Sequence, residues 1–195
     1  IDAETGALIS KNDWVVKCNF DHSPSASCSA TCATAGPSSG KSTPVLSSIP
    51  GTYTVFPLPV ESPNHGSITT VIEPADSLSS PYGWHDTDGV AGYEYTITRG
   101  NNVFAYDDVD NDNLPGFSPD GGPALTFNFP YNSSGAALTY QSAAITNLFY
   151  MNNLMHDIWY NHGFDEESGN FQVNNYGNGG LGVDEVFAEA QDGGG

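Results

Sequence analysis

One stretch of this sequence, Ser142 to Gly163, carries apolar residues at the spacing of a long α-helix. Ala144, Leu148, Met151, Met155 and Trp159 recur at steps of three and four residues, and Ile145, Phe149 and Ile158 widen the stripe. The spacing predicts a helix that buries this face. Ser142 suits the N-cap, because its hydroxyl can accept an orphan backbone N–H, and Gly163 suits the left-handed position just past the C-terminus. With a single long helix available, the rest of the core has to come from strands.

Short β-branched and aromatic runs bounded by Pro, Gly and Asn supply them: Tyr53-Thr54-Val55-Phe56, Ile68-Thr69-Thr70-Val71-Ile72 and Tyr93-Glu94-Tyr95-Thr96-Ile97. Alternation places Tyr93, Tyr95 and Ile97 on one face of the third, and Leu125-Thr126-Phe127-Asn128-Phe129 repeats the pattern. Asn170-Phe171-Gln172-Val173-Asn174 and Val183-Asp184-Glu185-Val186-Phe187-Ala188 read as shorter strands around the Gly177-Asn178-Gly179-Gly180 turn. The fold class is therefore α+β, strand-rich with one long helix.

Residues 1–20 read as a hairpin, with Ala7-Leu8-Ile9 and Trp14-Val15-Val16 flanking Lys11-Asn12-Asp13. Residues 21–50 are dominated by Ser, Ala, Thr, Pro and Gly without periodicity, which marks a linker and a domain boundary before a folded region over 51–195. Ile1 in place of Met, and the closing glycine turn Gln191-Asp192-Gly193-Gly194-Gly195, read as the cut ends of a longer chain. Cys18, Cys28 and Cys32 all fall in or beside the linker, where a small disulfide loop with one thiol left over is the expectation in an oxidising compartment. Zinc is disfavoured there, because only His22 is near and no Cys-x-x-Cys pair exists.

The chain holds 4 Lys+Arg against 23 Asp+Glu, a formal net charge of −19. Such a charge repels a phosphate backbone and an anionic membrane alike, which argues against nucleic acid and membrane partners. No apolar run is long enough to cross a bilayer, and a signal peptide, if the gene encodes one, lies upstream. The composition suits a secreted protein, although a solvated acidic surface explains the charge equally well.

Chemistry has few places to reside. His156 and His162 are six residues apart on the predicted helix, which separates them by about 120° around its axis, too far for one metal. No His is followed by Glu, so the two-histidine zinc helix with an adjacent general base is missing from these residues. His156 and Asp157 are read as structural, fixing the helix through hydrogen bonds.

Asp108, Asp110 and Asp112 offer alternate oxygen ligands, as the first half of an EF-hand loop does, and are calcium candidates. The second half departs from that pattern: Asn113 stands at the turn-glycine position and Pro119 at that of the bidentate Glu. Asp165-Glu166-Glu167 follows the helix C-terminus, where the dipole disfavours anions and donors have to compensate.

Six motifs follow one another in order: Ile145-Thr146-Asn147-Leu148-Phe149-Tyr150, Asn153-Leu154-Met155-His156-Asp157, Gly163-Phe164-Asp165-Glu166, Ser168-Gly169-Asn170-Phe171-Gln172, Asn174-Asn175-Tyr176-Gly177 and Ala190-Gln191-Asp192-Gly193. Together they resemble fungalysin, the secreted zinc metalloendopeptidase family. Gly83-Trp84-His85-Asp86 and Tyr95-Thr96-Ile97-Thr98-Arg99-Gly100-Asn101-Asn102-Val103 continue the resemblance upstream.

The resemblance implies the N-terminal lobe of a thermolysin-like catalytic domain over residues 51–195. It also implies a propeptide tail over 1–20 and a pro-to-mature junction, as in a zymogen, over 21–50. Further implications are an extracellular protein or peptide substrate, the protein's own propeptide as a partner, and zinc held by the two His of His-Glu-x-x-His and a later Glu. In the family those ligands lie downstream of Gly195, so no residue here inherits a catalytic or zinc role, and the chain by itself is expected to be inactive. The competing expectation is a secreted, non-catalytic binding or structural module built on the same lobe.

Overall fold

The computed structural model describes residues 51–60 and 62–193. The hairpin expected over 1–20, the linker expected over 21–50 and Cys18, Cys28 and Cys32 lie outside the described residues.

Two small sheets are covered by one helix. In the first, β1 (Thr52–Val55) is central, antiparallel to β2 (Thr69–Ile72) and parallel to β4 (Thr126–Phe127). Along β1, Tyr53 and Val55 are buried while Thr52 and Thr54 are half-exposed, the period-two pattern of a strand with one covered face. In the second sheet, β3 (Val103–Asp107) runs parallel to β5 (Val186–Ala190), pairing Val103 with Val186 and Asp107 with Ala190. The helix α1 (Gln141–Asn161) packs against β1, β3 and β5, so the α+β class holds.

Sequence pattern and structure differ most at two places. Tyr93 to Ile97 alternates, yet it joins no ladder beyond a single bridge from Ile97 to Asp120. Its backbone bonds scatter among separate partners, Glu94 N–H to His85 O, Gly121 N–H to Thr96 O and Thr98 N–H to Pro119 O. Its aromatic residue at 95 instead lies under the Arg99 guanidinium, which is 4.5 Å from that ring centre and 4.7 Å from Phe104 on the other side. Conversely, β3 has no alternation because its first four residues are all buried, and a strand covered on both faces reads only as a short apolar run.

The helix also departs from its sequence reading. A 3₁₀ turn over Ala137–Tyr140 feeds directly into α1, so Tyr140 occupies the N-cap position and Ser142 lies inside the first turn. Gly163 does take the left-handed conformation, φ 92°. Its N–H reaches Tyr160 O and the Phe164 N–H reaches Trp159 O, both at 3.0 Å, which closes the helix in a Schellman motif. Ile145, Phe149, Asn153 and Asp157 form the buried row, flanked by Thr146, Tyr150 and Tyr160. Met155 and Trp159, expected in the core, are 51 % and 54 % exposed.

Asp157 explains the polar half of that row. Its Oδ1 accepts from Ser79 Oγ and Ser80 Oγ, each at 2.8 Å, and from His156 Nδ1 at 3.1 Å. Its Oδ2 accepts from Trp84 Nε1 at 2.8 Å and the Asp76 N–H at 3.0 Å. A buried carboxylate with five donors is an anchor, here holding the 76–84 segment to the helix. Trp84 then enters the core against Tyr53, Phe149 and Tyr150. Its carbonyl accepts from Asn101 N–H, and a Cβ on Gly100 would lie 1.6 Å from that oxygen. Only glycine permits this approach.

His85 sits deeper, stacked on Phe127 at 5.2 Å and on Phe149 at 4.9 Å. Nδ1 lies 2.9 Å from Arg99 O, an acceptor only, so Nδ1 carries the proton and Nε2 accepts from Tyr53 Oη at 2.9 Å. Burial lowers its pKa to about 4. Because the unfolded imidazole binds its proton more tightly, the stability this residue contributes is complete above pH ~6.5 and declines as pH falls toward the folded value.

Two measurements check these assignments. Asp157→Ala should cost ~3 kcal/mol or more in urea unfolding, since several buried donors lose their acceptor, whereas Ser79→Ala should cost ~1 kcal/mol. Equal losses would refute the anchor. Long-range ¹⁵N–¹H spectra should show the His85 ring neutral and Nδ1-protonated at pH ~5.5, where a solvent-exposed imidazole is mostly charged.

Candidate functional site

The calcium candidates named from sequence converge in space. One carboxylate oxygen from each of Asp108, Asp110 and Asp112 lies within 4.8 Å of the others. Asp108 is buried at the end of β3, and its Oδ1 and Oδ2 accept the N–H groups of Asp112 at 2.9 Å and Asn113 at 3.1 Å. Asn111 and Asn113 take φ of 58° and 57°, so asparagine makes the left-handed turns that glycine makes in an EF-hand.

Carboxylates from distant sequence approach Asp108 as well. Asp108, Glu189 and Asp192 also place carboxylate oxygens within 4.8 Å of one another. The β3–β5 register sets Tyr106 opposite Glu189, and the Tyr106 hydroxyl donates to Glu189 Oε1 at 3.0 Å. Burial, then the bond to Glu189, pushes the Tyr106 phenol up to about 12. Asp108 N–H to Ala190 O at 3.1 Å and Gly193 N–H to Asp108 O at 2.9 Å tie the two loops together. Sequence inspection missed Glu189 and Asp192, because nothing local connects them to Asp108.

A second acidic group, unremarked in the sequence, comprises Asp86, Asp88 and Glu94, again with oxygens within 4.8 Å. Asp86 is fully buried. Burial pushes its carboxyl up to about 7, the Gly89 N–H opposes that shift, and Glu94 and Asp88 add repulsion.

The helix histidines do not form a metal pair. His156 bonds Asp157 through Nδ1, and its Nε2 lies 3.4 Å from Asn170 Nδ2. From there a buried amide network runs through Asn170 Nδ2 to Gln172 Oε1 at 2.8 Å, and through Asn102 Nδ2 to Asn153 Oδ1 and Ser80 Oγ, both at 3.2 Å. These bonds support the structural reading of His156 and Asp157. Glu166 is likewise compensated beyond the helix end, accepting from Asn178 Nδ2 at 2.8 Å and Tyr160 Oη at 3.3 Å.

Neither acidic group among the described residues includes a histidine or cysteine. Both acidic groups offer only carboxylates, and His85 and His156 commit both ring nitrogens to hydrogen bonds. Hard oxygen donors suit calcium instead. On the outer side of α1, Met155, Trp159, Phe164, Phe171 and Val186 line an apolar groove of about 310 Å³.

Comparison with known proteins accounts for this assembly. Residues 52–195 match the family described as Fungalysin metallopeptidase (M36). Extracellular metalloproteinase 5 of Trichophyton tonsurans is 41 % identical over 146 residues, covering 74 % of this chain and 23 % of that protein. Extracellular metalloproteinase 2 of Phaeosphaeria nodorum is 39 % identical over 145 residues, covering 72 % and 22 %. The chain thus spans less than a quarter of the length of these curated relatives. With the motifs around α1 in place and the family match extending from β1 past β5, the chain belongs to the fungalysin family of metallopeptidases.

Proposed function

We propose that this chain is the N-terminal portion of a secreted zinc-dependent endopeptidase that hydrolyses peptide bonds in extracellular proteins. The family match over residues 52–195 carries the reading, and relatives named as extracellular metalloproteinases support its localisation. Residues 51–195 form the N-terminal lobe of the catalytic domain, residues 1–20 the tail of an inhibitory propeptide, and residues 21–50 the junction between them.

Zinc belongs to sequence outside these residues. No His in the chain precedes a Glu, and the described acidic groups suit a different metal. The chain alone is therefore inactive, and its part is architectural. The groove over Met155, Trp159 and Phe164 leaves large apolar side chains at the surface, and a neighbouring lobe would cover them. Calcium at Asp108, Asp110 and Asp112, with Glu189 and Asp192 completing the ligand set, pins β3 to β5 at the margin of that lobe.

The full-length protein carrying this chain should hydrolyse casein in a chelator-sensitive manner and hold one zinc per chain, while residues 1–195 alone should do neither. A full-length protein without zinc and without hydrolysis would instead establish a secreted binding or structural module. For the Asp108 group, calcium should raise the melting temperature of the full chain. Asp108→Asn should diminish that rise, by ~2–4 °C for each kcal/mol of binding lost.

A further inference from the structure

The loop from Asp86 to Glu94 gathers negative charge with no lysine or arginine among the described residues set against it. Arg99 is the only Lys or Arg among residues 51–193, and it pairs with Glu185 at 3.6 Å. Yet Asp86, fully buried, stands beside Asp88 and Glu94 with one oxygen of each within 4.8 Å of the others.

The hydrogen bonds of the loop occupy one oxygen on every member. Asp86 Oδ1 accepts from the Gly89 N–H at 3.0 Å and Tyr176 Oη at 3.3 Å. Asp88 Oδ1 accepts from the Val90 N–H at 2.8 Å, and Glu94 Oε2 accepts from the Thr87 N–H and hydroxyl. Asp86 Oδ2 is buried and meets no donor at all. A buried carboxylate oxygen in that state is costly unless a proton or a cation satisfies it, and two further carboxylates beside it favour the cation.

We propose that Asp86, Asp88 and Glu94 bind one calcium-class divalent cation, at a site separate from the Asp108 group. Three carboxylates on a short irregular loop suit calcium, which accepts oxygen ligands in flexible geometry and completes its shell with carbonyls and water. The loop is already backed on one side: Asn174 Nδ2 donates to Thr87 O at 3.3 Å, and Tyr176 reaches Asp86. The cation therefore fastens the 86–94 loop to the 174–176 segment. Such sites bind in the range of extracellular modules, at about 0.1–1 mM calcium.

The test is a calcium chloride titration of the ¹⁵N-labelled full chain, followed through the amides of Thr87 to Glu94. These should shift in the unaltered chain and in Asp108→Asn. In Asp86→Asn and Glu94→Gln their midpoint should move to at least ~10-fold higher calcium, while the amides around Asp108 respond as before. Glu94 is exposed, so Glu94→Gln tests the site even if Asp86→Asn fails to fold. Amides over 87–94 that ignore millimolar calcium, or that shift equally in Glu94→Gln, would overturn the proposal without touching the Asp108 group.

Discussion

The arrangement of this lobe depends on one buried carboxylate. Asp157 collects five donors from three directions: the backbone at Asp76, the hydroxyls of Ser79 and Ser80, and the side chains of Trp84 and His156. A hydrophobic contact tolerates sliding, but a carboxylate receiving directed bonds fixes position and orientation together. Trp84 is set by that bond, and its carbonyl and ring then define where Gly100, Tyr53 and Phe149 can sit. The neighbouring His85 follows, clamped between Tyr53 and the Arg99 carbonyl.

That anchor belongs to a wider division of the helix. Its first turns bury Ile145 and Phe149 against the sheets, as amphipathic packing demands. Its later turns bury Asn153 and Asp157 instead: Asp157 takes the Asp76 N–H and the side-chain donors of the irregular 76–84 segment, and Asn153 accepts from the buried Asn102 amide. The apolar side chains of Met155 and Trp159 in those turns face outward into a groove.

Electrostatics sets the second theme. With Arg99 the only Lys or Arg over residues 51–193, and that one engaged by Glu185, the acidic groups at Asp86 and Asp108 have no lysine or arginine to neutralise them among the described residues. They differ in kind. Both oxygens of Asp108 are held by backbone N–H groups, whereas Asp86 leaves one buried oxygen without a donor. Metal binding would relieve repulsion at both and satisfy an orphaned atom at one.

What was legible in the sequence was local. Periodicity located α1, Gly163 marked its end, the β-branched and aromatic run at Tyr53 to Val55 gave β1, and the Asp108-Asp110-Asp112 spacing marked an oxygen-rich turn. Each of these follows from properties of residues a few positions apart. Tertiary structure alone decided which face of the helix was buried, that Tyr93 to Ile97 would not form a ladder, and that Val103 to Tyr106 would. It also decided that Glu189 and Asp192 would join Asp108, and that Asp86 would be sealed beside Asp88 and Glu94. The reason is physical: burial and charge pairing are set by whatever packs opposite a residue, and in a parallel sheet that partner comes from distant chain.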